Sequence, residues 1–468
     1  MKPIGNILIW LLSAAMLQAF SSSAQPVTQV AAGYEHSLFL KSDGTLWAMG
    51  DNLYGELGDG AIFGYSYPNT NSPEQSVASN VVAIATGEFH SLLLKSDGSL
   101  WAMGLNDEGQ LGKGFSYYNS IPAQIVASNV TAIAAGSWHS LFLKSDGSLW
   151  AMGSGQWGQL GDGMTYDFPF IGTDIPEQIV VSNVTAIAAG GGHSLFLKSD
   201  GSLWAMGFNQ WGQLGDGIGT FDSDNSTNIP ELIVASNVTA IAAGQVHSLF
   251  LKSDGSLWAM GLNDWGQLGD GSAYYDSNSC TNRPEQIVAS NVTAIAAGYY
   301  HSLFLKSDGS LWAMGGNFFG QLGDGFSDSY PFPSTNNPEQ IVAGNVIAIA
   351  AAEDHSLFVK SDGSLWGMGL NGRGELGDGT YNQVNRPEQI VGPYNQIQTT
   401  GQLVGGTNMQ LNFVGVANAN YALDRSSSLS PPNWIPQLTN AASSFGPLVF
   451  SNAPDATTNN FWRIRSVP

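Results

Sequence analysis

The chain has 468 residues, 43% of them hydrophobic, with 58 glycines and 20 prolines: enough to bury a large core, but too rich in turn residues for long helices. Its 37 acidic against 15 basic residues leave a net charge of −22, which opposes attraction to phosphate backbones and excludes nucleic acid as an expected partner. Cys280 is the single cysteine, which excludes an intramolecular disulfide and a cysteine-based metal cluster.

The amino terminus carries Lys2, an apolar run from Ile7 to Leu17, and small residues through Ser22-Ser23-Ala24. This reads as a secretory signal over 1–24, with an apolar run too short to span a bilayer. The expected location is therefore secreted or the cell envelope or periplasm, with no transmembrane segment in the mature chain.

From residue 27 to 391 one unit recurs, seen best as ASNVTAIAAGxxHSLFLKSDGSLWAMGxNxxGQLGDG followed by a variable stretch and PEQIV. His36, His90, His139, His193, His247, His301 and His355 hold the same place in it, at spacings of 54, 49, 54, 54, 54 and 54. The insert between GDG and the proline is 7 residues at Phe115 to Ile121 and 12 in most other units, so length variation sits in one loop. A period near fifty residues is the range of propellers and other repeat arrays. VTAIAAG, HSLFLKS, SLWAMG and PEQIV are short, β-branched or aromatic, and bounded by Gly, Asp, Asn and Pro, which predicts four strands per unit. Asp-Gly in SDG tolerates the positive φ of a tight hairpin between the second and third. Seven four-stranded blades would close into a ring and protect their edges.

The series G-x-x-H-S-L-x-L-x-x-D-G-x-L-x-x-x-G-x-N-x-x-G-Q-L-G resembles the regulator of chromosome condensation repeat, over about four-fifths of the chain. The resemblance implies an all-β, seven-bladed propeller of four-stranded blades. By the family's founding member it also implies a guanine-nucleotide-exchange regulator, and by its secreted bacterial members an enzyme inhibitor that grips its target through one loop-rich face.

Residues 396–468 lose the repeat; Asp424 and Asp455 there stand against Arg425, Arg463 and Arg465. The repeat region, assigned to 25–395, keeps 35 acidic and 11 basic residues, essentially all of the acidity. MQLNFVGV, NYALDRS, NWIPQL, LVFSN and NFWRIRSV predict about five strands, hence a small β-sandwich-like module. Its Phe461-Trp462-Arg463 ending resembles the short carboxy-terminal modules of secreted bacterial proteins, which implies sorting or attachment; a cap on the propeller is the alternative.

Strand parity places the two residues before each His, and NxxGQLGDG with its insert, on one face, and SDG with the ASN link on the other. SDG is the same in all seven copies, whereas the first set differs almost completely. The candidate ligand-binding residues are therefore Tyr34, Glu35, Tyr54, Glu88, Phe89, Trp138, Trp157, Trp211, Trp265, Tyr299, Tyr300, Phe318, Phe319, Glu353 and Asp354. Exposed aromatics beside carboxylates suit a protein or carbohydrate interface.

Chemistry that recurs in every copy argues against a catalytic site, because an enzyme needs one singular constellation. The seven histidines read as structural, each holding a turn by a hydrogen bond, and Trp47, Trp101, Trp150, Trp204, Trp258, Trp312 and Trp366 read as blade core. Carboxylates of the variable face, with Asp107 and Glu108 added, are the only candidates for acid–base chemistry. Asp222-Ser223-Asp224-Asn225 and Asp276-Ser277-Asn278 offer oxygens for calcium but match no twelve-residue calcium loop, and solvated loops are the preferred reading. Asn129, Asn183, Asn237 and Asn291 each begin N-x-T, a match that follows from the repeat itself.

No catalytic residue, metal or cofactor is expected. The reading is an exported, monomeric protein-binding scaffold, with surface glycan as the second ligand class and a purely structural surface protein as the rival.

Overall fold

The computed structural model describes residues 25–61, 69–114, 117–164, 172–218, 225–272, 280–327 and 335–392, and beyond them the backbone of six strands between 400 and 467. Residues 1–24, expected to be a secretory signal, and the calcium candidates at 222–224 and 276–278 lie outside the described residues.

Residues 27–391 form seven four-stranded antiparallel sheets, each built from one unbroken stretch of chain: 27–77, 81–126, 130–180, 184–234, 238–288, 292–342 and 346–391. The fold is the all-β, seven-bladed propeller that the repeat predicts. Within a blade the strands follow chain order, as in Val130–Ala135, His139–Lys144, Leu149–Ser154 and Gly172–Val180. The first strands of neighbouring blades lie side by side around the axis. The second strands, HSLFLK, are buried along almost their whole length, which explains their unbroken apolar run.

The core lies between blades. Leu141, Leu143, Leu149, Ala151 and Leu160 of the third blade pack on Val184, Phe196 and Met206 of the fourth, and five other interfaces repeat the pattern. The ring closes by the same packing, with no strand exchanged: Val27, Phe39 and Met49 meet Leu357, Val359, Leu365 and Leu376. Burying side chains of this size contributes roughly 1.5 to 3 kcal/mol each. Backbone bonds join the same seam, Val27 N–H donating to Gly363 O at 3.1 Å and Gly379 N–H to Asn71 O at 2.7 Å.

The SDG turn of one blade abuts the link to the next. Val130 N–H donates to Gly98 O and Ser145 N–H to Asn129 O, at 3.0 and 2.8 Å. Asn129 sits there at φ 69°, a left-handed conformation that Asn tolerates better than other side chains, which accounts for the recurrence of N-x-T.

The seven tryptophans pack against the inter-blade core, as the sequence suggests, but are only half-buried. Trp150 stacks on Phe142 with ring centroids 6.0 Å apart, its indole N–H donates to Ser148 Oγ at 2.9 Å, and Lys144 Nζ lies 3.7 Å from its ring centre. An indole N–H needs a partner, so the ring stays near the surface where the hydroxyl can reach it and the lysine covers it.

The carboxy-terminal unit holds two three-stranded antiparallel sheets. Thr400–Val404, Asn408–Val414 and Pro447–Asn452 form one; Ile435–Ala441, Asn420–Ser426 and Phe461–Val467 form the other. The strand not foreseen is Thr400–Val404, a short TGQLV segment interrupted by a glycine.

Candidate functional site: the variable face

The histidines are fully buried, and each Nε2 reaches the serine that follows the histidine of the next blade. His36 pairs with Ser91 at 3.0 Å, His139 with Ser194 at 2.8 Å, and His355 with Ser37 at 2.8 Å to close the circle. These bonds join blades; they do not hold turns within one, which corrects the sequence expectation. Ser194 has a single hydroxyl hydrogen and donates it to Gln159 O at 2.8 Å, so the proton in the His139 bond must reside on Nε2. Nδ1 of His90, His139, His193, His247, His301 and His355 then has no partner. Burial holds all seven rings neutral, pulled down to about 3 or 4 from the usual 6.5. Sealed from solvent, they are unable to touch a substrate.

The residues before the histidines alternate in direction. The first of each pair lines the axial mouth: Tyr34, Glu88, Ser137, Gly191, Gln245, Tyr299 and Glu353 surround a cavity of about 340 Å³. The second members, among them Glu35, Phe89, Trp138, Tyr300 and Asp354, are not among the residues that line it. The NxxG loops contribute Tyr54, Trp157, Trp211, Trp265, Phe318 and Phe319.

These aromatics are less exposed than the sequence suggests. All are half-buried except Trp157, which is 38% exposed, because they pack on one another. Phe89 lies 5.4 Å from Tyr34, 5.5 Å from Tyr54 and 5.8 Å from Trp138, and Tyr54 is 6.5 Å from Tyr117. On the other side Trp265 meets Phe318 edge-on at 4.5 Å and Tyr300 at 6.1 Å, with Tyr299 4.2 Å from Tyr300. Trp157 packs on Phe208 at 4.9 Å, beside a groove of about 330 Å³ that also takes in Trp138, Asp107 and Glu108. Sequence reasoning missed Phe208 and Tyr117; both flank loop positions already singled out.

The carboxylates gather where the seventh, first and second blades meet. Burial pushes Glu353 up to about 8, helped by Asp354, although the Tyr34 hydroxyl bonds to it and acts the other way. Burial likewise pushes Glu88 up to about 7 and Asp354 to about 6. The Tyr34 phenol rises to about 12, through burial and then the charge of Glu353. Glu35 is tied to Arg373 at 3.5 Å, which opposes the upward push of its burial. Asp354 accepts from Gln321 Nε2 at 3.1 Å.

Below the rim, Gln of GQLG receives the backbone N–H two residues back, as from Trp157 to Gln159 Oε1 at 2.8 Å. Glu56 and Glu375 replace it in the first and seventh blades and keep the bond, from Tyr54 and Arg373 at 2.9 and 2.8 Å. Each leaves Oε1 buried without a partner, and burial pushes the two carboxyls up to about 8 and 7.

Comparison with known proteins agrees with this architecture. Residues 13–287 match the RCC1-like domain, and residues 292–321, 308–359 and 346–375 match regulator of chromosome condensation (RCC1) repeats. The human E3 ubiquitin-protein ligase HERC2 is 29% identical over 365 residues, 77% of this chain but 6% of HERC2. A Dictyostelium discoideum bifunctional serine/threonine-protein kinase/NEDD4-like E3 ubiquitin-protein ligase is 34% identical over 369 residues, 75% of this chain and 19% of that protein. The chain thus spans less than a fifth of either relative, and the match is confined to the propeller. Yeast RCC1 (Prp20), crystallised with Kap60 bound, shares the fold at a TM-score of 0.65 and 23% identity, over 82% of this chain and 87% of that one. Human WBSCR16 does so at 0.63 and 23%, over 75% and 95%.

Proposed function

The chain belongs to the RCC1-like repeat family, and on that premise we propose that it is an exported, non-catalytic scaffold that binds a protein on its variable face. The observation that carries this reading is the pair of aromatic clusters on either side of the axial mouth. Rings already packed edge to face lose little freedom on binding, so they can bury area at low entropic cost. Neutral loop drift would favour small polar residues instead. Export rests on the character of residues 1–24. Non-catalytic action is supported by the burial of every histidine. The groove joining Trp157 to Asp107 and Glu108 favours a surface glycan as second reading, since an exposed indole beside carboxylates suits a sugar face and its hydroxyls.

The test is capture from envelope and culture fractions with residues 25–468, beside the Trp138→Ala/Tyr299→Ala/Tyr300→Ala variant. One discrete partner held by the native form alone, with both forms melting cooperatively, is expected. Equal capture by both removes this patch from the reading. No capture by either favours the glycan, for which a glycan array follows.

A further inference from the structure

The inner ring is chemically lopsided. Glu353, Tyr34 and Glu88 follow one another across the seventh, first and second blades, while Ser137, Gly191 and Gln245 fill the opposite arc. On that arc the polar groups answer each other, Ser137 donating to Gln245 Oε1 at 2.9 Å. On the acidic arc only hydroxyls answer the carboxyls: Tyr34 bonds to Glu353 and Ser137 to Glu88, each opposing the upward push of burial. Among the described residues Arg373 is committed to Glu35, no cation helps to ionise Glu88, Glu353 or Asp354, and all seven lysines of KSDG lie over tryptophans beside the SDG turns. A second feature is independent of charge: Phe89 and Trp138 continue from Tyr34 as an apolar shelf.

We propose that the axial mouth is a socket for one basic side chain, an arginine projecting from the partner protein, held by Glu353 and Glu88 with the Tyr34 ring between them. This rests on the protein-binding reading above. A guanidinium offers donors in a planar fork, so one group can serve two carboxylates, and its face attracts an aromatic ring. Its methylene stem would lie along the Phe89–Trp138 shelf, keeping the charged head at the carboxylates. The cavity of about 340 Å³ leaves room for the side chain and a few waters. A lysine has the charge without the fork and should bind less tightly.

The probe is a library of disulfide-constrained random loops displayed on phage, selected against residues 25–468. Clones that fail to bind the Trp138→Ala/Tyr299→Ala/Tyr300→Ala variant define the face, and these should share one arginine position. Arg→Ala in the lead peptide should weaken binding at least tenfold. Glu88→Gln/Glu353→Gln should weaken the parent peptide at least tenfold but the Arg→Ala peptide less than twofold, the signature of direct coupling. Glu74→Gln, an exposed carboxylate of the first blade's outer strand, should change neither. Face-binding clones with no basic position, or losses that simply add, overturn the socket and leave the protein-binding reading standing. If every clone binds the triple variant unchanged, both fall.

Discussion

The two faces of the propeller carry the same chain seven times and treat charge in opposite ways. Beside each SDG turn the aspartate is satisfied on the spot: Asp146 accepts from Ser148 N at 2.9 Å and from its hydroxyl at 2.6 Å, bonds that hold its carboxyl below the usual range. The neighbouring lysine lies on tryptophan. On the variable face carboxylates crowd together with little neutralisation, and burial raises them. A repeat that balances its charges locally can be copied unchanged. A face that leaves charge and aromatic edges unanswered is spending stability, which is where a binding surface is to be sought.

Acid provides the strongest way to set these regions against each other. The seven histidines have folded values pulled down to about 3 or 4, so the unfolded chain takes protons that the native ring refuses. The stability this gives is complete above about 6.5 and is lost as pH falls toward those values, at up to about 1.4 kcal/mol per pH unit for each ring. The raised carboxyls act with the opposite sign. What Glu353, Glu56, Glu88, Glu375 and Asp354 contribute is present below their unfolded values and is lost as pH rises through about 6 to 8. Urea midpoints from pH 4 to 9 should therefore peak near pH 6, with the steeper fall on the acid side. Midpoints that fall steadily from pH 4 to 6 would mean that the histidines titrate normally and only the raised carboxyls act.

Substitution separates core from face at the level of single side chains. Phe250 is fully buried between the fourth and fifth blades, so Phe250→Ala should cost about 3 to 5 kcal/mol in a denaturant melt. Trp265 is half-buried among rings of the variable face, and Trp265→Ala should cost well under half of that. Equal losses would make the loop aromatics a structural cap and weaken the binding reading.

The ring was legible in the sequence because seven copies in register fix blade number, strand number and turn placement at once. Its fastening was less so. The histidine's partner is the serine directly after the next histidine, usually 55 residues on; H-S recurs in every copy, yet adjacency in the chain suggests a local role. The tryptophans pack on the core as SLWAMG suggests, but their partial exposure rests on the indole N–H reaching the Ser two residues earlier, a pairing that the apolar pattern does not announce. At the candidate site the sequence separated the variable from the constant face. Which residue of each pair turns to the axis was hidden, since the chain leaves strand periodicity in that turn. The packing of Trp265 on Phe318 and Tyr300 joins neighbouring blades through loops of individual sequence, a contact that no repeat pattern encodes.

The smallest effect is also the sharpest, because the repeat supplies its own control. Glu375 occupies the place of Gln321, keeps the same backbone bond, and is fully buried with Oε1 unpartnered. Gln321 uses the corresponding nitrogen to hold Asp354, and Glu35 is the neighbour whose charge helps to raise Glu375. Glu375→Gln should therefore leave stability nearly unchanged at pH 5, where the folded carboxyl keeps its proton and resembles an amide. Above about 7 the native protein must bury a charge that the variant lacks, and the variant should become more stable by roughly 1 to 3 kcal/mol at pH 9. A gain that is the same at both pH values would trace to the new hydrogen bond. A gain that grows with pH would show that the seam between the seventh and first blades carries a carboxyl which is protonated near neutrality.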